Sequence, residues 1–144
     1  MRREILAAIA VLSTVFAAIL AVYVYTLSQE NDVSQSGDQP VQATLVISFA
    51  NGSVWRYPCL TVHHHSATVL GLLTAAASQG NFTVETTYYG QYDSLLVGSI
   101  AGVENGYQDR YWLYWINGDY GMVGADRQPV REGDTVEWKF TTYG

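Results

Sequence analysis

The chain has a single cysteine, Cys59, which excludes an intramolecular disulfide framework and a Cys-rich zinc site. With no basic neighbour other than Arg56, that thiol reads as a small buried hydrophobe. Charge is also scarce: Asp, Glu, Lys and Arg together make up 14% of the 144 residues, and basic residues are the scarcest. From Val41 onward, five of them (Arg56, Arg110, Arg127, Arg131 and Lys139) stand against nine acids, a net of −4. A nucleic-acid binder needs a positive footprint, so that class is excluded. Catalytic motifs are missing too. Gly98-Ser99-Ile100-Ala101-Gly102 carries its serine one place too early for a nucleophile elbow. There is no P-loop, dinucleotide fingerprint or HExxH. The acids Glu85, Asp93, Glu104 and Asp109 are scattered singly, without the pairing that acid–base work requires. The expectation is therefore a non-enzyme with no catalytic residues and no cofactor.

Apolar residues are plentiful, in two separate groups. Ile5 to Leu27 is a run of 23 almost wholly apolar residues. As a helix rising 1.5 Å per residue it would span roughly 34 Å, enough for a bilayer core of about 30 Å. Arg2 and Arg3 precede the run and no Lys or Arg follows until Arg56, which places the N-terminus in the cytoplasm and the remainder outside. Residues 1–27 are thus expected to be a single-pass membrane anchor. The competing reading is a cleaved signal peptide, whose apolar stretch is usually shorter. Ser28 to Pro40 has one apolar residue and three acids, the composition of a flexible polar spacer. Residues 41–144 form the exported domain. Asn51-Gly52-Ser53 and Asn81-Phe82-Thr83 are sequons compatible with export.

Within this domain Leu45, Ile47 and Phe49 alternate with Thr44, Val46 and Ser48, a half-buried strand. Asn51-Gly52 then offers two positive-φ positions for a tight hairpin, and Pro58 puts an edge or a bulge in the return strand. After His65 the period changes. Ser66 or Thr68 can cap a helix carrying Val69, Leu70, Leu72, Leu73, Ala76 and Ala77 on one face, with Gly80 ending it. Strands follow over 82–89, 95–100 and 110–116. The last of these has two bulky faces: Tyr111, Leu113 and Trp115 on one, Trp112, Tyr114 and Ile116 on the other. Glu132-Gly133-Asp134 turns the chain into a final strand that buries Val136, Trp138 and Phe140. The fold class is α+β, β-rich, with one helix packed on a mixed or antiparallel sheet. No internal repeat is present.

Two clusters stand out. His63-His64-His65 reads first as an exposed strand-end cluster. As metal ligands only His63 and His65 could share an ion, since adjacent strand residues face opposite ways, so no metal site is assigned. The aromatic excess is more informative: all four Trp and nine of the eleven Tyr lie after Val41. One small core does not readily hide that many, and a binding surface uses such rings well.

The order of elements resembles the C-terminal β-domain of the vitamin B12 carriers transcobalamin and intrinsic factor, over Thr44 to Thr142. The resemblance is carried by Ala67-Thr68-Val69-Leu70-Gly71-Leu72-Leu73 and Ser99-Ile100-Ala101-Gly102. It rests further on Tyr111-Trp112-Leu113-Tyr114-Trp115-Ile116-Asn117-Gly118 and Gly133-Asp134-Thr135-Val136-Glu137-Trp138. It implies a β-grasp-like domain that closes over one face of a corrin ring, the other face being held in those carriers by a helical barrel with no counterpart in this sequence. Ligand contacts from the aromatic strand and the loop after it would fall on Trp112, Leu113, Tyr114, Tyr120, Gly121, Met122 and Val123.

The expected function is a membrane-anchored, extracytoplasmic ligand-binding module for cobalamin or another corrinoid. Its partners would be the membrane, that small molecule, and a second binding protein or a transporter. The alternative is a cell-surface module for protein or glycan adhesion. A concave aromatic pocket beside residues 120–123 favours the first; a flat aromatic face or a long bare edge strand favours the second.

Overall fold

The computed structural model describes residues 16–26 and 39–143, and the chain divides into two compact units, Met1–Gln39 and Pro40–Gly144. In the first unit, residues 16–26 are helical (α1). Among the described residues no helix is long and apolar enough to cross a membrane. The rest of the expected anchor, 1–15 and 27, and most of the expected spacer, 28–38, lie outside the described residues.

In the second unit the order is β1 (Val41–Ser48), β2 (Val54–Val62), α2 (Val69–Gly80), β3 (Val84–Tyr89), β4 (Ser94–Ile100), β5 (Val103–Glu104), β6 (Tyr111–Ile116), β7 (Asp119–Tyr120) and β8 (Thr135–Thr141). The fold is mixed α+β and rich in strand. Instead of one sheet there are two: a mixed five-stranded sheet, β2-β1-β8-β6-β7, and an antiparallel three-stranded one, β3-β4-β5. The only parallel ladder among these joins β1 to β8, pairing Leu45 with Val136 and Ile47 with Trp138.

The core follows from the two periodicities. On α2, Val69, Leu72, Leu73 and Ala76 are buried. They pack with Leu45 and Ile47 of β1, Leu60 and Val62 of β2, Val97 and Ile100 of β4, and Val136, Trp138 and Phe140 of β8. Thr68 caps the helix, its Oγ1 accepting from Gly71 N at 3.0 Å. The two preceding helical amides are satisfied by a later loop: Val69 N donates to Gln128 O (3.0 Å) and Leu70 N to Ala125 O (2.9 Å). The helix N-terminus is therefore tied to the segment that follows β7.

Two polar side chains join the sheets. Asn105 donates to Val97 O on β4 and accepts from Trp112 N on β6, both at 2.8 Å. The Trp112 indole N–H donates to Val103 O at 2.8 Å.

Two local expectations are corrected. Asn51 does not adopt a positive φ; Gly52 alone does in that turn (+86°). Gly52 N bonds Phe49 O and Phe49 N bonds Ser53 O, a longer loop needing only one left-handed residue. The Asn-Gly turn with both residues at positive φ is instead Asn117-Gly118 (50° and 90°), between β6 and β7. Cys59 is exposed. It follows Pro58 on the edge strand β2, where the register shifts opposite Ala43 and Leu45, and its own φ of 52° turns it away from the core.

Among the described residues the buried Trp138 indole N–H has no hydrogen-bond partner, whereas that of Trp112 is bonded. A buried donor without a partner is destabilising by about 1–3 kcal/mol. Trp138→Phe is therefore expected to lose less stability than Trp112→Phe, by about 1 kcal/mol in urea unfolding. The reverse order would contradict this assignment of the two indoles.

Candidate functional site

Strand β6 sets the geometry because its two faces meet different environments. Trp112 and Tyr114 turn into the core, 4% and 7% exposed. Across the ladder they pair with Phe140 and Trp138, and their rings lie 5.1 and 5.4 Å from those neighbours. Leu113 and Trp115 face the other way and are half-buried. On that outer face they meet the alternate residues of β8: Leu113 is opposite Lys139, Trp115 opposite Glu137 and Tyr111 opposite Thr141.

The outer face forms an open hollow of about 510 Å³ lined by Leu113, Trp115, Tyr120, Lys139, Thr141, Thr142 and Tyr143. The Tyr120 ring meets Trp115 edge-on at 5.5 Å. Lys139 Nζ lies 4.7 Å from the Trp115 ring centre and 3.0 Å from Glu137 Oε2, so its charge is shared between a carboxylate and an aromatic face. Tyr143 packs at 4.8 Å against Tyr111. The hollow thus offers aromatic surface, a cation and threonine hydroxyls.

The loop after β7 is wrapped around Tyr114. Gly121 N donates to Tyr114 O (2.9 Å), and the Tyr114 hydroxyl donates to Val123 O (2.5 Å). A Cβ on Gly121 would fall 2.1 Å from Tyr114 Cζ, so only glycine lets the chain pass over this ring. Burial pushes the Tyr114 phenol above its ordinary pKa. Held at both ends, the loop projects Met122, 84% exposed, and Val123, 50% exposed, into solvent.

Further on, the loop is fastened to the turn between β3 and β4. The Ser94 hydroxyl donates to Asp126 Oδ1 at 2.5 Å. Arg127 pairs with the Asp93 carboxylate and also donates to the Asp93 carbonyl. Tyr88 donates its hydroxyl to Asp93 Oδ1 at 2.7 Å.

Of the seven residues expected to contact a ligand, the hollow brings together Leu113 and Tyr120. Trp112 and Tyr114 lie beneath it in the core, where their rings support the sheet and the loop. Gly121 is the crossing point, and Met122 and Val123 project nearby without lining the hollow. Trp115, Lys139, Thr141, Thr142 and Tyr143 are members that the sequence-based set lacked. The available signal was the alternation of β8: with Val136, Trp138 and Phe140 inward, Lys139 and Thr141 must face out.

A second hollow of about 410 Å³ lies between α2 and β3 and includes Leu70, Thr74, Ser78 and Asn81. Its helix hydroxyls are spent internally, Thr74 donating to Leu70 O and Ser78 to Thr74 O, which leaves little directed polarity for a ligand.

A family model described as a domain of unknown function, DUF4430, matches residues 67–142. No curated protein matches the chain. Among solved structures, haptocorrin in complex with Cbi is similar over 74% of this chain, with a TM-score of 0.61 and 18% identity. The present chain spans 26% of that protein's length. A protein from Ruminococcus gnavus ATCC 29149, provisionally described as metal-binding, is similar over 72% of this chain and 99% of its own, with a TM-score of 0.51 and 17% identity. At these identities the likeness is one of fold. It supports, at that level, the resemblance to the B12 carriers' β-domain.

The tie at Asp93 has a defined pH dependence. The Tyr88 hydrogen bond and then Arg127 hold this carboxyl below its ordinary value of about 3.8. A depressed folded-state pKa means that the tie is intact above that value and is lost as pH falls through the lower folded one. NMR titration is expected to show the Arg127 side-chain resonances constant down to about pH 4 and shifting only below it, with the step absent in Asp93→Asn. A midpoint above the ordinary carboxylate value would contradict the arrangement.

Proposed function

The chain belongs to the DUF4430 family, and from that premise we propose that it is a non-catalytic ligand-binding module whose aromatic hollow receives one face of a flat small molecule, with a corrinoid as the best-supported class. The observation that carries this reading is the concave surface of Trp115, Tyr120 and Lys139 directly beside a loop immobilised on Tyr114. Aromatic faces suit a flat macrocycle. Lys139 and the Thr141 and Thr142 hydroxyls suit polar substituents around its rim. A pocket lined in this way, adjoining residues 120–123, favours a small ligand over flat adhesion to a protein or glycan. The likeness to haptocorrin, solved with Cbi, supports the same class, and the mixed sheet crossed by one helix supports the β-grasp-like description.

An open hollow covers only one side of such a ligand, whereas tight small-molecule sites bury about 70–90% of their ligand's surface. Binding by this chain alone is therefore weak, and a second binding protein or a transporter closes the other side. The apolar run that follows Arg2 and Arg3 supports a membrane-anchored module with its domain facing outward.

Titrating cyanocobalamin and cobinamide into the full chain in detergent micelles tests the reading. A saturable calorimetric or absorbance signal is expected, weakened about fivefold to tenfold by Trp115→Ala or Tyr120→Ala, in keeping with the loss of about 1 kcal/mol of aromatic contact. Trp112→Ala is not suitable as a site variant because it opens the core. No signal at millimolar ligand, or saturation unaffected by both outer-face variants, would overturn the assignment.

A further inference from the structure

The three consecutive histidines have no part in the hollow. They lie where β2 ends, His63 in extended conformation and His64–Ser66 in a single 3₁₀ turn. The turn brings His63 and His65 together, with ring centres 6.1 Å apart and planes 15° from parallel. A nitrogen–metal bond of about 2.1 Å puts two imidazoles that share an ion roughly 5–6 Å apart, centre to centre. The observed spacing is close to that distance, with the rings stacked and a reorientation of the imidazoles needed to turn their nitrogens toward one ion.

The backbone beneath it is pinned on both sides. Val62 and Ala67 are buried core residues. Ser66 N bonds His63 O at 2.8 Å, and Val130 N bonds Ala67 O at 2.8 Å. Little chain entropy remains to be lost when an ion is bound.

We propose that His63 and His65 form a divalent transition-metal site for borderline ions such as Cu(II) or Zn(II), with His64 outside it. Two imidazoles select this class over calcium or magnesium, which take oxygen donors. Among the described residues no third His, Cys, Asp or Glu gathers with them, so the two imidazoles are the donors the site rests on. The site is separate from the aromatic hollow and does not depend on the corrinoid reading.

The test is an NMR and calorimetric titration of Cu(II) and Zn(II) into the full chain, free of any histidine tag, in detergent at pH 7.5. One ion per chain is expected, with Cu(II) broadening the His63 and His65 ring signals together. His63→Ala and His65→Ala should each weaken binding at least about tenfold, because the second imidazole binds intramolecularly once the first is engaged. His64→Ala should change it less than about twofold. All three positions are exposed, and circular dichroism checks that each variant stays folded. Equal losses from all three substitutions would reveal a non-specific histidine tract and overturn the site, as would the absence of saturation at low millimolar metal.

Discussion

The Tyr114 side chain is the contact on which both the core and the exposed loop depend. Its ring packs beside Trp138, inside the layer that α2 covers, while its hydroxyl reaches Val123 O and Gly121 crosses over its phenolic end. One residue therefore links a buried layer to a segment with a fully solvated apex. A bond of this kind contributes about 0.5–1.5 kcal/mol, modest for the fold but directed at the exposed apex of the loop. Further along the same loop, Ser94 with Asp126 and Asp93 with Arg127 tie it to the three-stranded sheet, and the Ala125 and Gln128 carbonyls tie it to the first amides of α2.

The consequence for binding is geometric. Because Trp112 and Tyr114 are spent on the core, the proposed recognition surface is the opposite face of β6, where Trp115 and Leu113 meet Lys139 and Thr141 of β8. A strand bulky on both faces satisfies two demands at once: it supplies rings to a small core and leaves aromatic surface outside. Lys139, lying over Trp115 and paired with Glu137, gives that outer face a charged, polar component beside its rings.

Much of the fold could be read from the sequence because local rules and burial agreed there. The alternation of Val136, Trp138 and Phe140, the spacing of Val69, Leu72, Leu73 and Ala76, and the Thr68 cap each reflect one physical demand and appear as expected. What escaped depended on pairing. Nothing local distinguishes Trp112 from Trp115; only the antiparallel register of β6 on β8, which sets Trp112 against buried Phe140, decides which ring goes inward. The two Asn-Gly pairs also look alike locally, yet only Asn117-Gly118 closes a two-residue turn, because Ile116 and Asp119 are paired directly across it. Cys59 departs from its expected burial for a related reason: composition marks it as a buried residue, but an edge-strand bulge sets its direction.

The central claim is that Tyr114 fixes the loop beside the hollow before any ligand arrives. Backbone ¹⁵N relaxation of Met122, Val123 and Gly124 in the full chain, compared with Tyr114→Phe, measures this directly. The account predicts order parameters near the rigid value of about 0.85 in the native protein, falling below about 0.6 when the hydroxyl is removed, with β6 and β8 unchanged. A loop already mobile in the native protein, or equally rigid in the variant, would contradict it.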